Sequence, residues 1–343
     1  MATTFNGALL ILPDGETLDA TLRFDAQRIL AIGGAAQRGD HVHDLHGFAV
    51  YPGLVNAHDH LTRNHYPRSK FRAVYGNAAD WAADFTPRLD AEPYRTLRAL
   101  PLDIQCGIGI MKNLRCGVTT VAHHDPLYAP LRSARLPLRV LQRYGWAHSL
   151  EGGDSVATYR RKPRGATWFI HAAEGTDERA RADLAALDAR GVLAPDSALI
   201  HGVGFTPEDT ARALERGVAL IACPSSNHYL LSRTADMQPF ARARRLALGS
   251  DSLLTADGDL LDELRAAEQT AQLAPLDLFR AVTTDAASII GLPRAGALRV
   301  GGLPDFFITP RTSQIEQDPA RALCNLHPAD ICGVWVRGTP VIG

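Results

Sequence analysis

The sequence predicts an α/β fold, a parallel sheet or barrel of alternating strands and helices, with a small β domain assembled from both ends of the chain. Three observations carry this. Residues 4–50 read as short strands broken by turn residues; from about Phe48 apolar runs alternate with capped amphipathic helices; and strand-like chemistry returns at residue 297. The 343 residues suffice for one barrel of roughly 250 residues plus an appendage, and are too few for two enzymatic domains.

Leu9 to Leu12 form the first strand and run into Pro13-Asp14-Gly15, where proline fixes φ and glycine permits a positive one. A second strand pair follows at Ala20 to Phe24 and Arg28 to Ile32, stopped by Gly33-Gly34. Thr167 to Ile170 is a short apolar run, and the helix after Thr176 opens on Asp177 and Glu178, shows Leu184 and Leu187 on one face and stops at Gly191. Ala198 to Ile200 leads into Thr206-Pro-Glu-Asp209, a capping-box-like start with proline at the first helical position. Val218 to Ala222 and Leu246 to Leu248 supply two further buried strands, and Ala297 to Val300, Asp305 to Ile308 and Gly333 to Val336 supply those of the tail.

Composition narrows the function. Hydrophobic residues make up 46% and charged residues 21%, and 36 basic side chains face 37 acidic ones, a balance that points to neither nucleic acid nor an anionic membrane. The apolar run Ala8 to Leu12 is too short for a signal or membrane segment, which leaves a cytoplasmic location as the expectation. The five cysteines have no CxxC pair and read as reduced, mostly buried thiols.

His58-Asp-His60 ends an apolar strand. Strand side chains alternate, so the two imidazoles face the same side and can share one metal. The spacing alone is weak, since His41-Val-His43 repeats it among polar residues of the small domain and reads as surface. Recurrence strengthens it: His171, His201 and Asp251 each fall where a separate strand-like run meets its loop, the end at which a parallel barrel places its active site. Glu174, three residues past His171, lies where a carboxylate can reach a water at the metal without being a ligand.

Pro52-Gly-Leu-Val-Asn-Ala-His58-Asp-His60, Gly117-Val-Thr-Thr120, His171-Ala-Ala-Glu174, Ile200-His201, Cys223-Pro-Ser-Ser-Asn227, Leu248-Gly-Ser-Asp251 and the closing Gly296 to Asp305 together resemble the amidohydrolase superfamily, in particular the branch of cytosine, guanine and S-adenosylhomocysteine deaminases and triazine hydrolases. The resemblance implies a (β/α)8 (TIM) barrel over residues 51–296 and a small β-sandwich domain from residues 1–50 plus 297–343. It implies that His58, His60, His171 and Asp251 hold one divalent metal, zinc with iron(II) as the alternative, that Glu174 shuttles protons, and that His201 positions the attacking or substrate oxygen. The binuclear branches use a carboxylated lysine after the fourth strand, and none of Lys70, Lys112 and Lys162 ends a convincing strand here. Only about fifty residues separate Val118 to Val121 from His171, so the third and fourth barrel units are abbreviated. The implied reaction is hydrolytic deamination of a small nitrogen heteroaromatic, with hydrolysis of a cyclic amide or a carbon–halogen bond as the alternative. A catalytically silent scaffold would have an eroded site, and every expected ligand is present. A homo-oligomer fits the family, though no residue pattern encodes one. Candidate substrate contacts are Arg63, His65, Tyr66 and Arg68 after the first strand, with Lys70 nearby, Trp81 in the next loop, His123 and His124 after the second strand, and Asn227 with His228 following it.

Overall fold

A computed structural model describes residues 2–343. Sixteen strands fall into three sheets. The first takes both chain ends: β1 (Thr3–Ile11), β2 (Thr17–Phe24), β3 (Ile29–Ile32), β4 (His41–Asp44) and β5 (Phe48–Pro52) from the start, then β14 (Phe306–Pro310), β15 (Gly333–Val336) and β16 (Thr339–Ile342) from the finish. β5 is the join, running parallel to β1 and antiparallel to β14, with Val50 opposite Ile308. Phe5 of β1 meets the rings of Phe24, Phe306 and Trp335 edge-on, so one aromatic cluster serves strands from both termini. The Pro13-Asp14-Gly15 turn forms as its residues dictate, with Gly15 at φ 86° and its N–H donating to the Leu12 carbonyl. β4, which carries His41 and His43, is exposed along its length.

Between the ends lie eight shorter strands, all in parallel ladders. β6 (Leu54–Asp59), β7 (Val118–His123) and β8 (Arg139–Val140) form one sheet. β9 (Gly145–Ala147), β10 (Trp168–Ala172), β11 (Ser197–His201), β12 (Ala219–Ala222) and β13 (Leu246–Leu248) form the other, in sequential order. Apart from Arg139 and Trp146 both are buried, and their runs of Val, Ile, Leu and Ala are what parallel strands covered on both faces require. Helices join most of them; Thr206 and Asp209 make the expected reciprocal capping box on the helix Pro207–Glu215. The two sheets meet at β6 and β13 through a bridge between Asp59 and Asp251. At the other junction β8 has two residues, β9 has three, no helix separates them and no ladder joins them.

The structure corrects two expectations. Ala297 to Val300 is not a strand: a turn closed by the Gly302 N–H on the Arg299 carbonyl curls the chain, and only Gly301 and Gly302 reach Ile29 at the edge of β3. Asp177 lies outside the first helical turn and caps the helix Glu178–Ala189, its carboxylate accepting from the Ala180 N–H. Four of the five free cysteines are buried and Cys332 is exposed. Among the described residues no helix is long and apolar enough to cross a membrane.

Candidate metal centre

The site gathers where β6, β10, β11 and β13 end. Alternation along β6 turns His58 and His60 to one side and Asp59 to the other. β13 delivers Asp251 by close backbone contact: a Cβ on Gly249 would lie 2.5 Å from the His58 Cβ, and the Asp251 N–H donates to the His58 carbonyl at 3.1 Å. Ala173, His201 and Asp251 all sit at positive φ (52°, 76° and 51°), a conformation that non-glycine residues keep only where the surroundings enforce it.

Four donor atoms converge. His58 Nε2 and His171 Nε2 are 3.4 Å apart, and Asp251 Oδ1 lies 3.6 Å from both His58 Nε2 and His60 Nε2. A tetrahedral ion with arms of about 2.0–2.1 Å has donor–donor edges of about 3.3–3.4 Å, close to these three separations; the three histidines keep their donors within 4.8 Å of one another, and Asp251 joins them through its contacts with His58 and His60. Protonation matches. Burial lowers His58 and His171 below the ordinary imidazole range and His60 to about 4, so all three are neutral at pH 7. Burial alone would raise Asp251, but hydrogen bonding with His58 leads the effects that outweigh it and hold the carboxyl well below its ordinary range. Neutral imidazole nitrogens and a carboxylate oxygen aimed at one point form the donor set of a divalent cation.

Partners behind the donors fix their aim. Asp251 Oδ2 accepts from Ser226 Oγ at 2.7 Å and Thr255 Oγ1 at 2.9 Å, which leaves Oδ1 for the site. His60 Nδ1 bonds Asp125 Oδ2 at 2.9 Å, and Asp125 Oδ1 accepts from Arg63 Nη2 at 3.2 Å. Glu174 Oε1 is 3.5 Å from His201 Nε2. Burial pushes the Glu174 carboxyl up to about 7, and the charges of Asp251 and Asp183 act in the same direction. Asn227 Oδ1 faces His201 Nδ1 at 2.8 Å while its amide donates to Thr234 Oγ1, an assignment that puts a ring proton on Nδ1 and leaves Nε2 facing Glu174.

A cavity of about 670 Å³ opens above these groups, within the range of small-ligand sites. Of the candidate contacts, Arg63, Tyr66 and Trp81 line it, and Trp81 stacks on Phe85 with the planes 7° apart. The others lie elsewhere. Arg68 pairs with Asp257 and covers the Tyr229 ring, and Lys70 donates to the Ala73 and Tyr229 carbonyls, so neither cation is free for a substrate. His65 packs on Tyr66, and His228 is exposed on its helix. His123 is buried and meets the Leu61 N–H; His124 meets the Ala147 carbonyl, its ring 4.3 Å from His171. Asn227 acts on His201 from behind. Lys112 and Lys162 are engaged with Asp59 and Asp196. The sequence reading missed Asp125, Ser226 and Thr255. Only Asp125 left a signal, as a carboxylate directly after a His-His pair at a strand end.

A family model described as "Amidohydrolase family" matches residues 161–341. The chain is 27% identical to a 5-methylthioadenosine/S-adenosylhomocysteine deaminase of Natronomonas pharaonis, over 85% of this chain and 80% of that one. It is 40% identical to an aminodeoxyfutalosine deaminase of Deinococcus radiodurans over 110 residues, 31% of this chain and 26% of the relative. Among solved structures, a zinc-bound adenosine deaminase from Xanthomonas campestris superposes with a TM-score of 0.77 at 19% identity, covering 99% of this chain and 92% of that one. A triazine hydrolase from Arthrobacter aurescens reaches 0.81 at 18% identity, covering 99% and 94%. At such identities these two likenesses concern the fold.

Proposed function

The chain belongs to the amidohydrolase family, and we propose that it is a metal-dependent hydrolase that releases ammonia from a small nitrogen heteroaromatic substrate. The convergence of His58, His60, His171 and Asp251 beside a carboxyl poised at about 7 carries the reading, supported by relatives named as deaminases. The four residues would hold one ion, zinc with iron(II) as the alternative. When bound, such an ion supplies Lewis acidity that brings the ionisation of a water close to neutral pH.

The rest of the chemistry falls to side chains. Glu174 takes the proton of the attacking water on its carboxylate and passes it to the ring and then to the departing amine, since an unprotonated amide is too poor a leaving group. His201, its Nδ1 tied to Asn227, keeps Nε2 toward the attacking or substrate oxygen. The Trp81–Phe85 stack offers a flat apolar wall for a ring, and Arg63, anchored by Asp125, offers donors for a carbonyl or carboxylate on it. We read residues 51–296 as a (β/α)8 barrel abbreviated at β8 and β9, and residues 1–50 with 297–343 as a small β-sandwich domain. The sequential parallel order within β6 to β8 and within β9 to β13, and the shared Phe5–Phe306–Trp335 cluster, support that division. A coupled ammonia assay over purines, pterins, pyrimidines and triazines, with and without carboxylate or phosphate substituents, tests the reaction. Ammonia from at least one ring class is expected. Turnover of a cyclic amide or a halogenated ring with no ammonia from the panel overturns the deaminase reading.

A further inference from the structure

Asp59 stands between two of the metal-site histidines yet faces away from them, and its carboxylate is the hub of a buried polar knot. It is fully buried and accepts from Asn56 Nδ2 at 3.2 Å, Asn64 Nδ2 at 2.8 Å, Asn113 Nδ2 at 2.7 Å, Lys112 Nζ at 3.0 Å and Ser250 Oγ at 3.2 Å. Ser250 is held from several sides. Its Oγ accepts from Lys112 Nζ at 2.9 Å and Asn56 Nδ2 at 2.8 Å, and its N–H donates to Asn56 Oδ1 at 3.1 Å. The knot therefore joins three pieces of chain: the strand bearing His58 and His60, the segment bearing Asp251, and the helix Leu102–Arg115. That helix comes near enough because residue 109 is glycine, where a Cβ would sit 2.3 Å from the Leu61 carbonyl oxygen.

The arrangement goes beyond packing. A Lys–Asp pair taken out of water costs desolvation on both partners, and an apolar pair of the same volume often stabilises a fold as well or better. What a charged pair with four directed partners adds is geometry, since each bond fixes the distance between two backbone segments. The segments fixed here are those whose donors stand 3.6 Å apart, His58 and His60 on one and Asp251 on the other.

We propose that Lys112 and Asp59 form a positioning pair that locks the His58–His60 strand against the Asp251 segment and so sets the affinity of the site for its divalent cation. This rests on the reading of those residues as ligands. Partners behind metal ligands typically contribute about 10–100-fold in affinity, and that is the scale expected here.

The test measures zinc dissociation constants of the full chain by chelator competition, beside the melting temperature of the metal-free protein. Lys112→Met leaves Asp59 buried and unpaired, so both affinity and metal-free stability should fall. The double variant Asp59→Asn with Lys112→Met removes both charges and should recover most of the metal-free melting temperature while zinc binding stays at least about tenfold weaker. A pair with only a structural role predicts the opposite, affinity returning together with stability. Ser250→Ala gives a second reading without stranding a buried charge: weaker zinc binding at a near-parental melting temperature supports the proposal. Parental zinc affinity in either the double variant or Ser250→Ala overturns it. His171→Ala is the separate control, because unchanged affinity there would refute the ligand set rather than the pair.

Discussion

Replacing Glu174 with glutamine keeps the volume and the contact with His201 but removes a group that can ionise. Two effects follow, on different observables. In catalysis, loss of a positioned acid–base group costs about 10²–10⁴ in turnover, or about 2.7–5.4 kcal/mol of barrier. Metal content should stay near parental, since Glu174 is not one of the four converging donors. In stability the sign reverses. The carboxyl is harder to ionise folded, at about 7, than at its ordinary 4.5, so the folded parent loses stability as pH rises from 4.5 through 7. The 2.5-unit difference corresponds to about 3 kcal/mol above pH 7, an upper figure because the side chain is 18% exposed and part of the cost is screened. Metal-free Glu174→Gln should therefore unfold at higher denaturant than metal-free parent at pH 8, with the gap closing below about pH 4.5. Steady-state kinetics with metal analysis and denaturant titrations at the two pH values make the comparison. Turnover within tenfold of parental would refute the shuttle role, and an equal gap at both pH values would refute the electrostatic account.

Elemental analysis of the active protein should give close to one divalent ion per chain, because among the described residues one three-histidine cluster, with Asp251 beside it, could hold an ion and no lysine lines the cavity above it; two ions with a carboxylated lysine would overturn this. Replacing His41 or His43 should leave zinc content and turnover nearly unchanged, since both lie on the exposed β4, in the sheet built from the chain ends and not at the ends of β6, β10, β11 or β13. Loss of metal in either variant would mean that the wrong His-x-His had been assigned.

The parts of the site legible in the sequence are those whose role depends on local periodicity. His58 and His60 share a face because a strand repeats every two residues, and the Thr206–Asp209 box closes within four residues of chain. The illegible parts are those for which the partner is remote. Asp125 becomes the anchor of His60 across 65 residues, and Ser226 and Asp251 meet across 25. Asp59 reads as a spacer between two ligands until the helix carrying Lys112 is laid against it. β8 and β9 escape notice for another reason: strands of two and three residues are too short to show alternation. Ala297 to Val300 misleads in the opposite way, because its apolar composition serves burial of Leu298 in a turn while Val300 is exposed.

The pairing of β5 with β14 has a consequence in time. Val50 emerges from a ribosome roughly 260 residues before its partner Ile308, which at about 5–20 residues per second is a wait of about 13–50 seconds. Through that interval one edge of β5, with the side chains of Val50 and Tyr51 that are buried in the finished protein, has no strand to pair with. Such an edge is a template for other chains. Synthesis that stalls between Asp251 and β14 would release a polypeptide in which every residue proposed to hold the metal has been made but the sheet that ties its two ends together has not.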